Sequence, residues 1–417
     1  MRHAESSEHG GSTLLRPRPQ LFLIALVLVL TMADWFAASA IAPTLRTEWA
    51  LTPWQGTLLT TSVQLGFVIG AVLSALFTLP DVMNPSRLLA IAALVSAATT
   101  AAMAALAHDL WSGVTLRFLT GVALAAVYPV GMNLASSWFL RGRGLALGIL
   151  IAALTLGSSL PLVLGGAMTS AWREVLYLCA ALSVIGAILT IGFIRKGPLT
   201  SRAPRFEPRY VLTLLRNPRA RLTNLGYLGH MWELYAVWVW LPAFFAASMK
   251  ARDSGWSAWQ LALTCFIALG ICGALGCVLA GWWGDRLGRA RVAALAMLIS
   301  GLCCIAAALL FGGPPVLLIA VMGLWGAAVI ADSAMFSACM ASVVDQHHVG
   351  TALTMLTAAG FLLTIVTIQG LPIVLEHSNW SVAVAILGVG PLLGAIAMRR
   401  LSFQLKEPTR SIAASQA

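Results

Sequence analysis

The sequence predicts an all-α polytopic membrane protein, with twelve transmembrane helices arranged as two pseudo-symmetric six-helix bundles. Three observations predict it. Of 417 residues, 59% are hydrophobic and only 10% are charged, against about 25% charged in a soluble chain. The apolar residues fall into twelve recurring runs, each reaching or exceeding the ~17 residues that a bilayer-crossing helix needs. Lys and Arg gather in alternate gaps between those runs. With a mean hydropathy of +0.87, one large aqueous core does not explain apolar runs spread over the whole chain.

The expected spans are 21–43, 57–79, 87–107, 112–137, 144–168, 174–194, 222–246, 260–283, 290–311, 314–340, 349–373 and 381–398. Residues 1–20 are polar, basic and Pro-containing, and no small-residue cleavage site ends the run after them. They read as a disordered cytosolic tail instead of a signal peptide. Residues 21–194 form a first bundle, 195–221 a basic cytosolic linker, 222–398 a second bundle and 399–417 a cytosolic tail. Gly and Pro within the spans are tolerated because membrane helices re-satisfy backbone groups locally.

Orientation follows from the basic residues. With both termini in the cytosol, the inner gaps hold Arg16, Arg18, Arg87, Arg141, Arg143, Arg286, Arg289, Arg291, Arg399 and Arg400, and the linker adds eight more basic residues. The outer gaps hold only Arg46, Arg173, Lys250 and Arg252. Such asymmetry places the termini inside and the protein in a plasma (inner) membrane. The net charge of +11 is thus an orientation signal. Scattered over separate loops, it does not make a nucleic-acid surface. The seven Cys lack metal-ligand spacing, and no cofactor motif or phosphate loop is present.

The two halves echo each other at an offset of about 204 to 208 residues. Leu51-Thr-Pro-Trp-Gln-Gly56 precedes the second span and Gly255-Trp-Ser-Ala-Trp-Gln260 the eighth. Asp81 and Arg87 follow the second span at the same six-residue interval as Asp285 and Arg291 after the eighth. Trp172 opens the sixth span and Trp380 the twelfth. Duplicated bundles suggest alternating access at their interface.

These motifs, over about residues 20 to 400, resemble the major facilitator superfamily. The match rests first on Gly281-Trp-Trp-Gly-Asp285-Arg286-Leu-Gly288-Arg289-Ala-Arg291, similar to the family's glycine-rich loop. The first-half copy keeps Asp81 and Arg87 but has Asn84 and Pro85 at the glycine and basic positions. Arg117-Phe-Leu-Thr-Gly121, Tyr128-Pro129 and the run from Trp138 to Gly148 extend the match. The stretch from Gly148 to Gly166 lacks the Gly-Pro step of the family's antiporter motif. The resemblance implies a secondary transporter, with Arg117 coupling protons or organising a cavity.

The residues supply their own chemistry. Asp81, Arg87, Gly284, Asp285, Arg286, Gly288, Arg289 and Arg291 form a candidate cytosolic latch of breakable salt bridges, set against a reading as solvated topology signals. Arg117 lies about six residues into the fourth span, where it must face a cavity, be paired or snorkel. Its planar fork also suits a carboxylate. Asp34 lies mid-span and Asp332 within the tenth span; both are proton-carrier candidates or fixed partners in helix contacts. His230 and Glu233, three apart in the seventh span, are also proton-coupling candidates: they share a face and pair or look into the cavity together. Gln64, Tyr128, Asn133 and Gln369, with Arg117, are candidate cavity residues, each also suited to helix packing. His347 and His348 read as a solvated loop.

With no soluble domain to hold a nucleotide and no hydrolase triad, the chain is not expected to be an enzyme. It is expected to move a small polar or anionic solute by proton-coupled alternating access, as a monomer in contact with lipid. The alternatives are proton-driven efflux of a cationic or lipophilic compound, and a solute sensor without flux.

Overall fold

The computed structural model describes residues 16–139, 142–199, 207 and 209–405. The tails 1–15 and 406–417, linker residues 200–206 and 208, and the Asp81 side chain lie outside the described residues. Twelve helices carry the apolar runs: α1 (Pro17–Glu48), α2 (Pro53–Leu76), α3 (Pro85–Leu106), α4 (Leu110–Ser136), α5 (Gly144–Ala167) and α6 (Trp172–Phe193). The second six are α7 (Pro218–Ala251), α8 (Ala258–Leu287), α9 (Arg289–Leu309), α10 (Pro315–Val343), α11 (Gln346–His377) and α12 (Trp380–Gln404). Several outrun their apolar cores. Pro17 to Gln20, expected in the tail, already belong to α1, and Arg399 to Gln404 extend α12. Helical hydrogen bonding continues into the polar interface after hydrophobicity stops.

The repeated sequence before α2 and α8 has a physical cause. Thr52 and Gln55 form a reciprocal capping box at the start of α2, and Ser257 and Gln260 form one at the start of α8. Each satisfies backbone donors that the helix leaves unpaired. At the start of α4, Asp109 caps with Ser112, and the Ser112 hydroxyl followed by its amide holds the Asp109 carboxyl below its usual range. Helices α4 and α10 both break. Pro129 has no amide to offer the Ala125 carbonyl, and α4 is interrupted between Leu124 and Tyr128. Helix α10 is interrupted at Asp332.

Packing repeats as well. In the first half α1 packs on α5 and α6, α2 on α4, and α3 on α4 and α6. In the second, α7 packs on α11 and α12, α8 on α10, and α9 on α10 and α12. The halves meet through α5 on α8 and α2 on α11, two contacts that exchange under the same pseudo-symmetry. Small residues permit the close crossings. A Cβ at Gly121 would strike the Val63 carbonyl, and one at Gly326 would strike the Ala268 carbonyl. With no hydrophobic drive between helices in lipid, such close backbone approach contributes to helix association alongside interhelical hydrogen bonds.

Gly121→Val should therefore lower the thermal unfolding midpoint in detergent, since overpacking costs about 1–3 kcal/mol and here the obstacle is backbone. Gly192→Ala, where a Cβ meets nothing within 4 Å, should not lower it. Equal midpoints for the two variants would remove the argument.

Candidate functional site

Each half keeps a carboxylate in its interior, nine residues ahead of a helix proline: Asp34 before Pro43 in α1, and Glu233 before Pro242 in α7. Their donors also correspond. Asp34 Oδ2 accepts from the Ser96 hydroxyl of α3 at 2.6 Å, and from Ser183 of α6 at 2.7 Å. Glu233 Oε1 accepts from the Ser300 hydroxyl of α9 at 2.8 Å. Ser96 and Ser300 are 204 residues apart, as are Thr100 and Cys304 one turn further on. The Cys304 thiol donates to Glu233 at 3.0 Å and the Trp325 indole of α10 at 2.6 Å. All of these side chains are buried. Hydrocarbon offers no water to replace a missing donor, and in each carboxylate the donors converge on one oxygen, Asp34 Oδ2 and Glu233 Oε1, while Asp34 Oδ1 is buried without a partner among the described residues.

Arg117 belongs to the first of these clusters. It is fully buried, and its Nη2 donates to the carbonyls of Asp34 and Trp35, both at 2.7 Å. It ties α4 to α1 and does not line the central cavity. The second cluster has no matching arginine; Trp325 approaches from the corresponding helix.

His230 and Glu233 do not pair. Three residues on a helix differ by about 60° in direction, and here that difference sends the two side chains to different neighbours. His230 Nδ1 lies 2.9 Å from Asp332 Oδ1, and its Nε2 lies 3.2 Å from the Ser333 hydroxyl. The break in α10 delivers both partners. His230 and Asp332 are each 2% exposed.

The central cavity lies between the halves. Its volume is about 90 Å³, and its wall includes Trp35, Phe36, Phe67, Tyr128, Ser158, Tyr227, His230, Tyr235, Trp238, Ser333 and Phe361. On α7, Tyr227, His230, Leu234 and Trp238 follow one helical face at intervals of three and four. That stripe was available in the sequence but is masked by the apolar residues around it. Aromatic rings close the wall: Trp35 to Phe67 at 5.0 Å, Phe67 to Phe361 at 4.7 Å, and Phe36 stacked on Trp238 at 5.0 Å and 10°. The Trp35 indole nitrogen is buried without a hydrogen-bond partner among the described residues. A buried donor left unsatisfied costs about 1–3 kcal/mol.

The other expected cavity residues occupy different places. Tyr128 lines the cavity. Gln64 and Gln369 join the halves across α2 and α11: the Thr364 hydroxyl donates to Gln64 Oε1 at 3.0 Å, Thr57 donates to Gln369 Oε1 at 2.8 Å, and Gln369 Nε2 donates to Thr61 at 3.0 Å. Asn133 is exposed below the cavity and does not line it. On the face that carries the termini, the Asp285 carboxylate abuts Gly144 in the first turn of α5, so the second half touches the first. Arg289 Nη2 lies 3.8 Å from Asp285 Oδ1, and Arg286 instead covers the Trp282 ring at 3.7 Å. Gly288 takes φ +94°, and a Cβ at Gly284 would meet Met335 Sδ at 2.8 Å. Arg87 is exposed, and Arg291 lies beside Arg399 in a surface groove.

Glu233→Ala should leave three buried donors facing a void and lower the thermal midpoint, each orphaned donor costing about 1–3 kcal/mol. Glu233→Gln keeps an acceptor oxygen and should retain most of that stability. A Glu233→Ala midpoint equal to wild type in a detergent thermal-shift measurement would count against the donor cluster.

Comparison with known proteins agrees with this architecture. The family model described as Major Facilitator Superfamily matches residues 24–368. A gallate transporter of Pseudomonas putida is 25% identical over 329 residues, covering 68% of this chain and 70% of that protein. A galacturonate transporter of Dickeya chrysanthemi is 24% identical over 196 residues, 41% of this chain and 54% of the relative. The agnestins efflux protein of Paecilomyces divaricatus is 25% identical over 263 residues, 62% of this chain and 56% of the relative. Among solved structures, the nucleoside transporter NupG superposes with a TM-score of 0.70 at 17% identity, covering 93% of this chain and 100% of NupG.

Proposed function

The chain belongs to the Major Facilitator Superfamily and is a multi-pass membrane transporter, not an enzyme, and we propose that it carries a small organic carboxylate by proton-coupled alternating access. The observation that carries this reading is the His230–Asp332 pair. His230 lines the central cavity with a side chain that accepts or releases a proton at a ring nitrogen, and its Nδ1 lies 2.9 Å from Asp332 Oδ1. A proton on the pair cancels the Asp332 charge, so the wall beside the Ser333 hydroxyl no longer repels an anionic solute. Without that proton the pair is negative, and the solute is released. Proton and solute thereby favour each other's binding, which is the linkage that coupling requires. The proton is shared by the pair and belongs to neither residue alone.

Asp34 and Glu233, each bonded to donors inside its own half, are assigned to holding each bundle rigid. Arg117 shares that work in the first half. The Trp35 indole is assigned to a solute oxygen, and the rings of Phe67, Tyr235 and Phe361 to an aromatic or sugar-like body. Gallate and galacturonate, carried by the two relatives named for them, are both organic carboxylates. The excess of basic residues on the terminal face supports a cytosolic placement of both termini in a plasma membrane, with Asp285 at the start of α5 as the cytosolic latch. The protein is proposed to function as a monomer in direct contact with lipid.

A second reading is export of an aromatic cation or uncharged compound. It is favoured by the absence of Lys and Arg from the cavity lining and by the efflux relative. Proteoliposomes separate the two. With the external medium acidified, wild type should accumulate gallate or galacturonate, and His230→Gln should lose gradient-driven accumulation by at least tenfold while keeping solute counterflow. Accumulation that survives His230→Gln would sink the coupling assignment. Acid-driven movement of ethidium but of no carboxylate would favour export, and binding without any flux would mean a sensor.

A further inference from the structure

A second cavity opens on the face opposite the termini, where α1, α5 and α7 end and α2 and α8 begin. Its volume is about 370 Å³, within the range of small-molecule sites, whereas the 90 Å³ central cavity is well below it. In this conformation a solute of ordinary size fits the vestibule and not the centre. Trp238 lines both cavities, with its ring stacked on Phe36, so the two spaces share that wall.

The vestibule has one charged lining residue, Arg46. Its stem is set against α2: a Cβ at Gly56 would lie 3.1 Å from both Cγ and Cδ of Arg46. Glu48, the acid nearest in sequence, is engaged elsewhere. It accepts from the Trp172 indole at 2.6 Å and lies 3.6 Å from Arg173 Nη2. On the same wall, the Ser39 and Thr60 hydroxyls stand 2.7 Å apart. The facing wall from α7 includes Trp238, while the Trp240 indole turns to α11 and α12, donating to the Ile368 carbonyl at 3.2 Å with its ring 6.2 Å from that of Trp380. A guanidinium fork near the mouth, hydroxyls about two helical turns deeper and Trp238 on the facing side suit a carboxylate on a ring-sized body.

We propose that this vestibule is a second solute site, at which Arg46 takes the carboxylate before the solute passes Trp238 to the central cavity. The inference rests on the carboxylate reading of the central site. It makes Arg46 a binding residue in its own right and Gly56 the residue that leaves room for its stem.

The test counts bound solute. Equilibrium dialysis of labelled gallate and galacturonate with purified full-length protein should give two molecules per chain in wild type and in His230→Gln, which keeps solute exchange, and one in Arg46→Gln. Arg46→Lys should keep two. In proteoliposome uptake, Arg46→Gln should raise KM about tenfold with kcat little changed, the loss expected for one charged hydrogen bond. Gly56→Leu, which displaces the stem, should raise KM in the same direction. One site per chain, with stoichiometry and KM indifferent to Arg46→Gln, overturns the vestibule site and leaves carboxylate transport standing. Carboxylate binding that Arg46→Gln removes, in a wild type that takes up no carboxylate, supports the vestibule and overturns the transport reading. Neither binding nor uptake in wild type overturns both.

Discussion

A carboxylate inside a bilayer has no water to solvate it, and the rest of this structure is arranged around that constraint. Desolvation of a charge is costly enough that every donor must come from the protein itself. Asp34 and Glu233 each collect donors from two neighbouring helices. The hydrogen bonds therefore do in the interior what hydrophobicity cannot do in lipid: they specify which helices meet and in what register. Each bundle behaves as a body tied at its centre. Two tied bodies with a thin seam between them are the mechanical prerequisite for rocking.

The halves have kept this plan and altered its chemistry. The acid stands nine residues ahead of a proline in both, and the first donor serine recurs 204 residues later. Beyond that they diverge. The first half retains an arginine that grips two carbonyls of α1. The second has an indole and a thiol in that neighbourhood, and it places a second acid at the break of α10, against a histidine on the cavity wall. Buried charge in the first half faces inward upon itself, whereas part of that in the second half borders the seam.

Much of this was legible in the sequence because it is periodic or local. Spans and the duplicated Trp-Gln motifs are patterns within a few turns of chain, although the capping boxes that explain those motifs emerge only in the structure. Asp34, Arg117, His230, Glu233 and Asp332 stand out because ionisable residues in apolar runs need an explanation. Their partners were not legible. His230 meets Asp332 across about a hundred residues, and the expected contact with Glu233 fails over a 60° difference that sequence spacing does not resolve. Trp325 drew no attention because an indole in an apolar helix looks like any lipid-facing ring. Asn133, chosen for its polarity one turn from Pro129, lies outside the cavity lining, since polarity does not report which way a helix is turned. The vestibule at Arg46 combines five helix ends and has no linear signature.

The seam between α2 and α11 has teeth. Thr57, Thr61 and Gln64 recur at intervals of four and three along one helix, and Thr364 and Gln369 answer from the other. Gln369 already grips two successive teeth, accepting from Thr57 and donating to Thr61. A slide of α11 by one turn in either direction would set Gln369 against Leu65 or Pro53 in place of one threonine. The present register is therefore the one in which both ends of that amide are satisfied across the seam, unlike a dry apolar contact, which slides continuously. The seam is keyed to a single closed position, and leaving it breaks these bonds together.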